Sequence, residues 1–109
     1  MPEYRKLVRD KIPAIIKTTG RSCRTRILDP EEHLQALRVK LLEEVEEFLD
    51  TERTAESVEE LADILEIVFA LAQKFGADED ELVEIREAKR DERGGFDQGI
   101  FLIEVSDSD

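Results

Sequence analysis

Cysteine, glycine, proline and basic residues are all scarce in this chain, and each shortage closes off a class of protein. The single cysteine, Cys23, can close no internal disulfide. No apolar leader follows Met1, so no secretory signal is visible, and a cytoplasmic location is expected. Five glycines and three prolines in 109 residues are too few for a loop-rich fold. No apolar run approaches membrane-spanning length, so no membrane partner is expected. Lys and Arg number 16 against 28 Asp and Glu, a net charge of −12. That balance argues against binding a nucleic-acid polymer, which needs a basic surface. It suits a salt-rich medium, and it means that an anionic ligand must be held by a few local cations together with a metal.

What remains is helical in character. Apolar residues make up 40% and charged residues another 40%, the mixture of amphipathic helices rather than of a sandwich or barrel. The length suits one domain, 1–109, with a modest core. The expected fold is mainly α, a bundle of about four helices with a small two-stranded ribbon. After an irregular stretch over 1–9, a short helix is expected over 11–18, capped by Asp10, with Pro13 in its first turn and Gly20 at its end. Asp29-Pro30-Glu31-Glu32 reads as a strong helix start, with cap, proline at N1 and acid at N3. That helix is expected to run to about residue 50. A turn at 51–54 leads to the next, over 55–75, closed by Gly76. It is apolar round much of its circumference and is expected to be the central, most buried helix. A fourth starts at Asp78 and ends near Arg93, before Gly94-Gly95. The alternating segment 24–28 and the apolar segment 99–105 have strand composition and are expected to pair. The tail, 105–109, is expected to fray.

Acidic residues sit where helical core residues belong. Glu43-Glu44-x-x-Glu47, a gap of twelve residues, then Glu60-x-x-Asp63 place acids three apart on each of two helices. At 100° per residue, the first helix gathers Leu34, Leu37, Leu41, Val45 and Phe48 into one arc, and Glu44 lies about 20° from Leu37. Glu47 lies about 60° further round, near Lys40. In the second, Ser57, Leu61, Ile64, Val68, Leu71 and Phe75 form the arc. Glu60 and Asp63 fall among its apolar neighbours. Glu43, Glu46, Glu59 and Glu66 point further away. One reading is a solvated acidic face, which fits Glu46 and Glu59. It fits Glu44 and Glu60 poorly. Two such helices side by side aim four carboxylates, Glu44, Glu47, Glu60 and Asp63, at one point, and repulsion and desolvation forbid that without a cation. Oxygen ligands point to a hard divalent ion, Mg²⁺, with Mn²⁺ as a substitute.

Lys89 and Arg93 share a face at the end of the fourth helix. They read either as ordinary partners of the helix dipole or as donors to phosphate oxygens. Lys6, Arg9 and Lys11 form a basic cluster that either neutralises nearby acids or lines the approach of a substrate. His33 has no visible partner and is expected to be exposed. Tyr4, Phe96 and Phe101 are candidates for core packing or for stacking on a base.

The acid pattern resembles that of the MazG-like all-α nucleoside triphosphate pyrophosphohydrolases and their phosphoribosyl-ATP pyrophosphohydrolase-like relatives. Lys6-Leu7-Val8-Arg9-Asp10-Lys11-Ile12-Pro13 and Lys89…Glu92-Arg93-Gly94-Gly95-Phe96 resemble a small single-domain branch of that group, so the likeness runs from residue 4 to about 104. It implies Mg²⁺-dependent cleavage between the α- and β-phosphates of a nucleotide, giving a monophosphate and pyrophosphate, in a house-cleaning role. It implies Glu44, Glu47, Glu60 and Asp63 as metal ligands, with Glu43 near the metal shell. It also implies a homodimer or higher homo-oligomer whose pocket is completed between subunits. On this reading Glu47 or Glu44 takes the proton of the attacking water. Lys89 and Arg93, with Arg9 and Lys11, hold the phosphates. The alternatives are a non-catalytic acidic helical module that binds a protein partner, and one that binds nucleotides without cutting them.

Overall fold

Helix starts are where this sequence is most explicit, and the structure, a computed structural model describing residues 5–107, begins its second helix where Asp29 dictates. The Asp29 carboxylate accepts from the Glu32 backbone N–H at 2.9 Å, and the Glu32 side chain accepts from the Asp29 backbone N–H at 3.3 Å. This is a reciprocal capping box with Pro30 at N1. The Arg26 guanidinium reaches the same Glu32 carboxylate at 2.9 Å. Arg26, together with the Asp29 backbone bond, holds Glu32 down at about 2.

Four helices form among the described residues: α1 Ile12–Thr18, α2 Pro30–Asp50, α3 Thr54–Lys74 and α4 Glu79–Arg93. The fold is a mainly-α helical bundle. α1 starts one residue later than expected, with Lys11 at its N-cap and no capping bond from Asp10. α3 ends as Gly76 dictates: Gly76 takes φ 87°, its N–H donates to the Gln73 carbonyl, and Ala77 N–H donates to the Ala72 carbonyl. That pairing of bonds satisfies the last carbonyls and needs a residue tolerant of positive φ. Asp78 then caps α4 by accepting from Glu81 N–H.

α2 packs against α3, and α3 against α4; among the described residues α1 packs against no other helix. α3 is therefore central, as expected. It is not deeply buried. Among the described residues the buried apolar side chains are Leu37 on α2 and Ile67 on α3, with Leu34, Leu41, Val45, Phe48, Ile64, Val68 and Leu71 half-buried around them. Leu61 and Phe75, expected in the core arc, are exposed. Nothing among the described residues covers them.

The ribbon is absent. Among the described residues there is no strand, and both 24–28 and 99–105 run without regular structure. Ile27, Ile100, Phe101 and Ile103 are each more than 80% exposed, and so is Phe96. Tyr4 lies outside the described residues. The radius of gyration is 19.0 Å and the longest extent 71 Å, against ~13 Å for a compact domain of about 100 residues. No helix among the described residues is long and apolar enough to cross a membrane.

Candidate metal centre

The turn at residues 51–53 folds α3 back along α2, so residues equidistant from it meet. Glu44 and Glu60 each lie eight positions from Glu52, and the structure brings them together. Carboxylate oxygens of Glu44, Glu47 and Glu60 lie within 4.8 Å of one another. Glu44 is buried, Glu60 half-buried and Glu47 exposed.

Each carboxylate has its own electrostatic situation. Glu44 Oε1 is 3.2 Å from the Lys40 ammonium, one helical turn earlier, which also stands 3.9 Å from Glu43 Oε2. Burial pushes the Glu44 carboxyl up, but the Lys40 ammonium and hydrogen bonds shared with Glu60 and Glu47 outweigh it and hold the group below its ordinary value. Among the described residues no cation pairs with Glu60. Burial, a hydrogen bond to Glu44 and the charges of Glu47, Glu44 and Asp63 push it up to about 7. The Oε2 atoms of both Glu44 and Glu60 are shielded from solvent and have no hydrogen-bond partner among the described residues. Buried polar atoms are rarely left so.

Asp63 does not join the other three. Its Oδ1 accepts from Arg9 Nη2 at 2.7 Å, a bond spanning 54 positions of sequence. Of the basic cluster, Arg9 thus neutralises an acid, Lys11 is exposed, and Lys6 lines a cavity on α2. Lys89 and Arg93 are exposed at the end of α4, which packs against α3 and not α2. His33 is half-buried rather than exposed. Lys40 emerges as the cation of the centre; its signal in the sequence was a lysine four positions before a core-facing glutamate.

A cation suits this donor set. All three groups offer oxygen, two offer an oxygen that nothing else satisfies, and their joint charge exceeds what Lys40 neutralises. Hard divalent ions take such ligands. The chain matches no protein-family model, no curated protein and no solved structure among those compared.

Proposed function

We propose that this chain is a Mg²⁺-dependent nucleotide pyrophosphohydrolase, hydrolysing a nucleoside triphosphate between its α- and β-phosphates to a monophosphate and pyrophosphate. The observation that carries this reading is the pair of buried, unpartnered Oε2 atoms of Glu44 and Glu60 beside Glu47. The spacing of the acids, with its resemblance to the MazG-like enzymes, supports it.

Glu44, Glu47 and Glu60 would hold the metal, and Asp63 would complete the set by turning from Arg9. Bound Mg²⁺ supplies neutralisation of phosphate oxygens and a more acidic water. The chain's own groups do the rest. Glu47 is exposed and forms no ion pair among the described residues, so it is the better-placed base; Glu44 is buried against Lys40. As the water oxygen bonds to the α-phosphorus, Glu47 takes its proton. The bond from the α-phosphorus to the bridging oxygen breaks, and pyrophosphate leaves. Lys89 and Arg93 meet its charge.

The same reading includes a homo-oligomer. The low burial, the 19.0 Å radius of gyration and the exposed apolar side chains on α2 and α3 support it. It also includes a reducing, cytoplasmic setting, which suits the free, exposed Cys23.

Pyrophosphate release over a panel of nucleotides with Mg²⁺ or Mn²⁺ is the test. Glu60→Gln and Asp63→Asn should each abolish it while circular dichroism stays unchanged. Activity surviving in both variants overturns the site. The exposed apolar surface also favours a second reading, a non-catalytic helical interaction module; a calorimetric blank with Mg²⁺ and Mn²⁺ would select it.

A further inference from the structure

A groove of about 250 Å³ runs between α3 and α4. Leu65, Val68 and Phe69 line it from one helix, and Leu82, Val83 and Arg86 from the other. It is smaller than the roughly 300–1,000 Å³ of small-molecule pockets and lacks their convergent polar groups. Its lining suits apolar side chains of a polypeptide. Arg86 is the one charged lining residue among those described. Its guanidinium stands 3.9 Å from Glu87, in a pair 63% exposed at both side chains, a weak contact that another acid can replace. Through Leu65 the groove continues onto the exposed row of Val58 and Leu61.

The chain carries a matching segment. Gly99 takes φ 63° and its N–H donates to the Phe96 carbonyl at 3.3 Å. From that turn an arm, residues 99–105, leaves the bundle. Ile100, Phe101, Leu102, Ile103 and Val105 are each between 73% and 87% exposed. Extended backbone sends alternate side chains to opposite sides. Ile100 and Leu102 then share a row with Glu104, and Phe101, Ile103 and Val105 form the other. Segments apolar on both sides are those buried on both sides. Folded back onto its own groove, the arm would leave one row bare. Between two copies both rows are covered. Glu104, the one acid of the arm, ends the row of Ile100 and Leu102 and complements Arg86.

We propose that the arm of one copy lies in the α3–α4 groove of a second copy, reciprocally. At roughly 100 Å² for each apolar side chain, an arm brings on the order of 500 Å². Two arms and the grooves that receive them reach the roughly 1,600 Å² of a standard interface. Ordering a free segment opposes docking, so the arms add to the contact between the bare faces of α2 and α3 rather than replace it. The arm exchange rests on the homo-oligomer in the reading above and requires no catalysis.

Sedimentation and disulfide trapping on the full chain test it. Leu102→Asp puts a charge into the docked row but leaves an exposed residue in the monomer, so circular dichroism should not change. The dimer Kd should rise about tenfold or more. For trapping, Cys23→Ser removes the native thiol. One protein then carries Arg86→Cys and another Glu104→Cys. Oxidising their equimolar mixture should link two chains in a yield neither protein reaches alone. An unchanged Kd in Leu102→Asp overturns the arm but leaves the oligomer standing. A weakened dimer with no linked pair places the arm elsewhere and overturns the groove. When both cysteines are in one chain, a bond that forms only within that chain puts the arm on its own groove and overturns the exchange. A monomeric wild type overturns the exchange and the homo-oligomer together, while Mn²⁺ calorimetry still decides the metal centre.

Discussion

Glu44 and Glu60 meet across the α2–α3 interface with one oxygen of each, Oε2, out of solvent and unpartnered. They share one negative neighbourhood but not one fate. Lys40 keeps Glu44 charged, and Glu60 carries the cost of crowding, its carboxyl pushed up to about 7. Coupled carboxylates commonly divide in this way.

A pH dependence with two opposing limbs follows. Glu60 is raised from an ordinary 4.5 to about 7. Between those values the folded chain holds a proton that the unfolded chain has lost, so stability falls as pH rises through that window. Glu32 is depressed from 4.5 to about 2. Its contribution is present above 4.5 and lost as pH falls toward 2. Thermal melts in EDTA should therefore peak near pH 4.5 and decline toward neutrality. A melting temperature that is flat from pH 5 to 7 would show that Glu60 is not held in this environment.

The Glu60 proton must leave before a metal can bind. At pH 6, Mg²⁺ or Mn²⁺ binding should release about one proton, and at pH 8.5 almost none. The enthalpy measured in buffers of different ionisation heat reads this directly. Equal enthalpies in all buffers at pH 6 would mean that Glu60 is no ligand.

Glu60→Gln separates function from stability. At pH 8 in EDTA it removes one of three like charges at nearly constant volume, so the melting temperature should rise. The response to Mg²⁺ should vanish, whereas wild type gains about 2.7 kcal/mol at a hundredfold excess of metal over Kd. Functional sites commonly show this exchange of stability for ligand binding. A variant less stable than wild type in EDTA would contradict the electrostatic account.

Apolar side chains left bare in one copy predict self-association. Val39, Leu42 and Leu49 form an exposed stripe on α2, and Val58, Leu61 and Leu65 form another on α3. Both stripes follow helical spacing, as a packed face does. Light scattering should give at least twice the 12.5 kDa of one chain. Leu42→Glu with Leu61→Glu should shift it to monomer; a monomeric wild type would refute the oligomer.

Local chemistry was legible in the sequence, and long-range placement was not. Asp29-Pro30 fixed the start of α2, Gly76 the end of α3, and the angle from Leu37 to Glu44 the burial of that acid. These depend on neighbours within one or two turns. The 99–105 segment misled because strand composition names no partner, and a strand without one does not form. Leu61 and Phe75 misled because helical spacing shows which residues share a face but not whether anything covers it. The Arg9–Asp63 bond was out of reach, since it depends on the path of a segment 54 positions away.

That bond yields the remaining prediction. Arg9 and Asp63 are 59% and 41% exposed at the side chain, so the pair stabilises the fold by ~0–1 kcal/mol at most. Arg9→Gln should barely move the melting temperature. Its effect on metal binding should be larger and opposite to that of Asp63→Asn. With Arg9 in place, a cation must compete with the guanidinium for Asp63 Oδ1. Without it, Asp63 is free to join Glu44, Glu47 and Glu60. Mn²⁺ affinity should therefore rise in Arg9→Gln and fall in Asp63→Asn. A fall in both variants would show that Arg9 positions Asp63 for the metal rather than withholding it. No change in either would leave the metal to Glu44, Glu47 and Glu60 alone, with Asp63 a surface ion-pair partner.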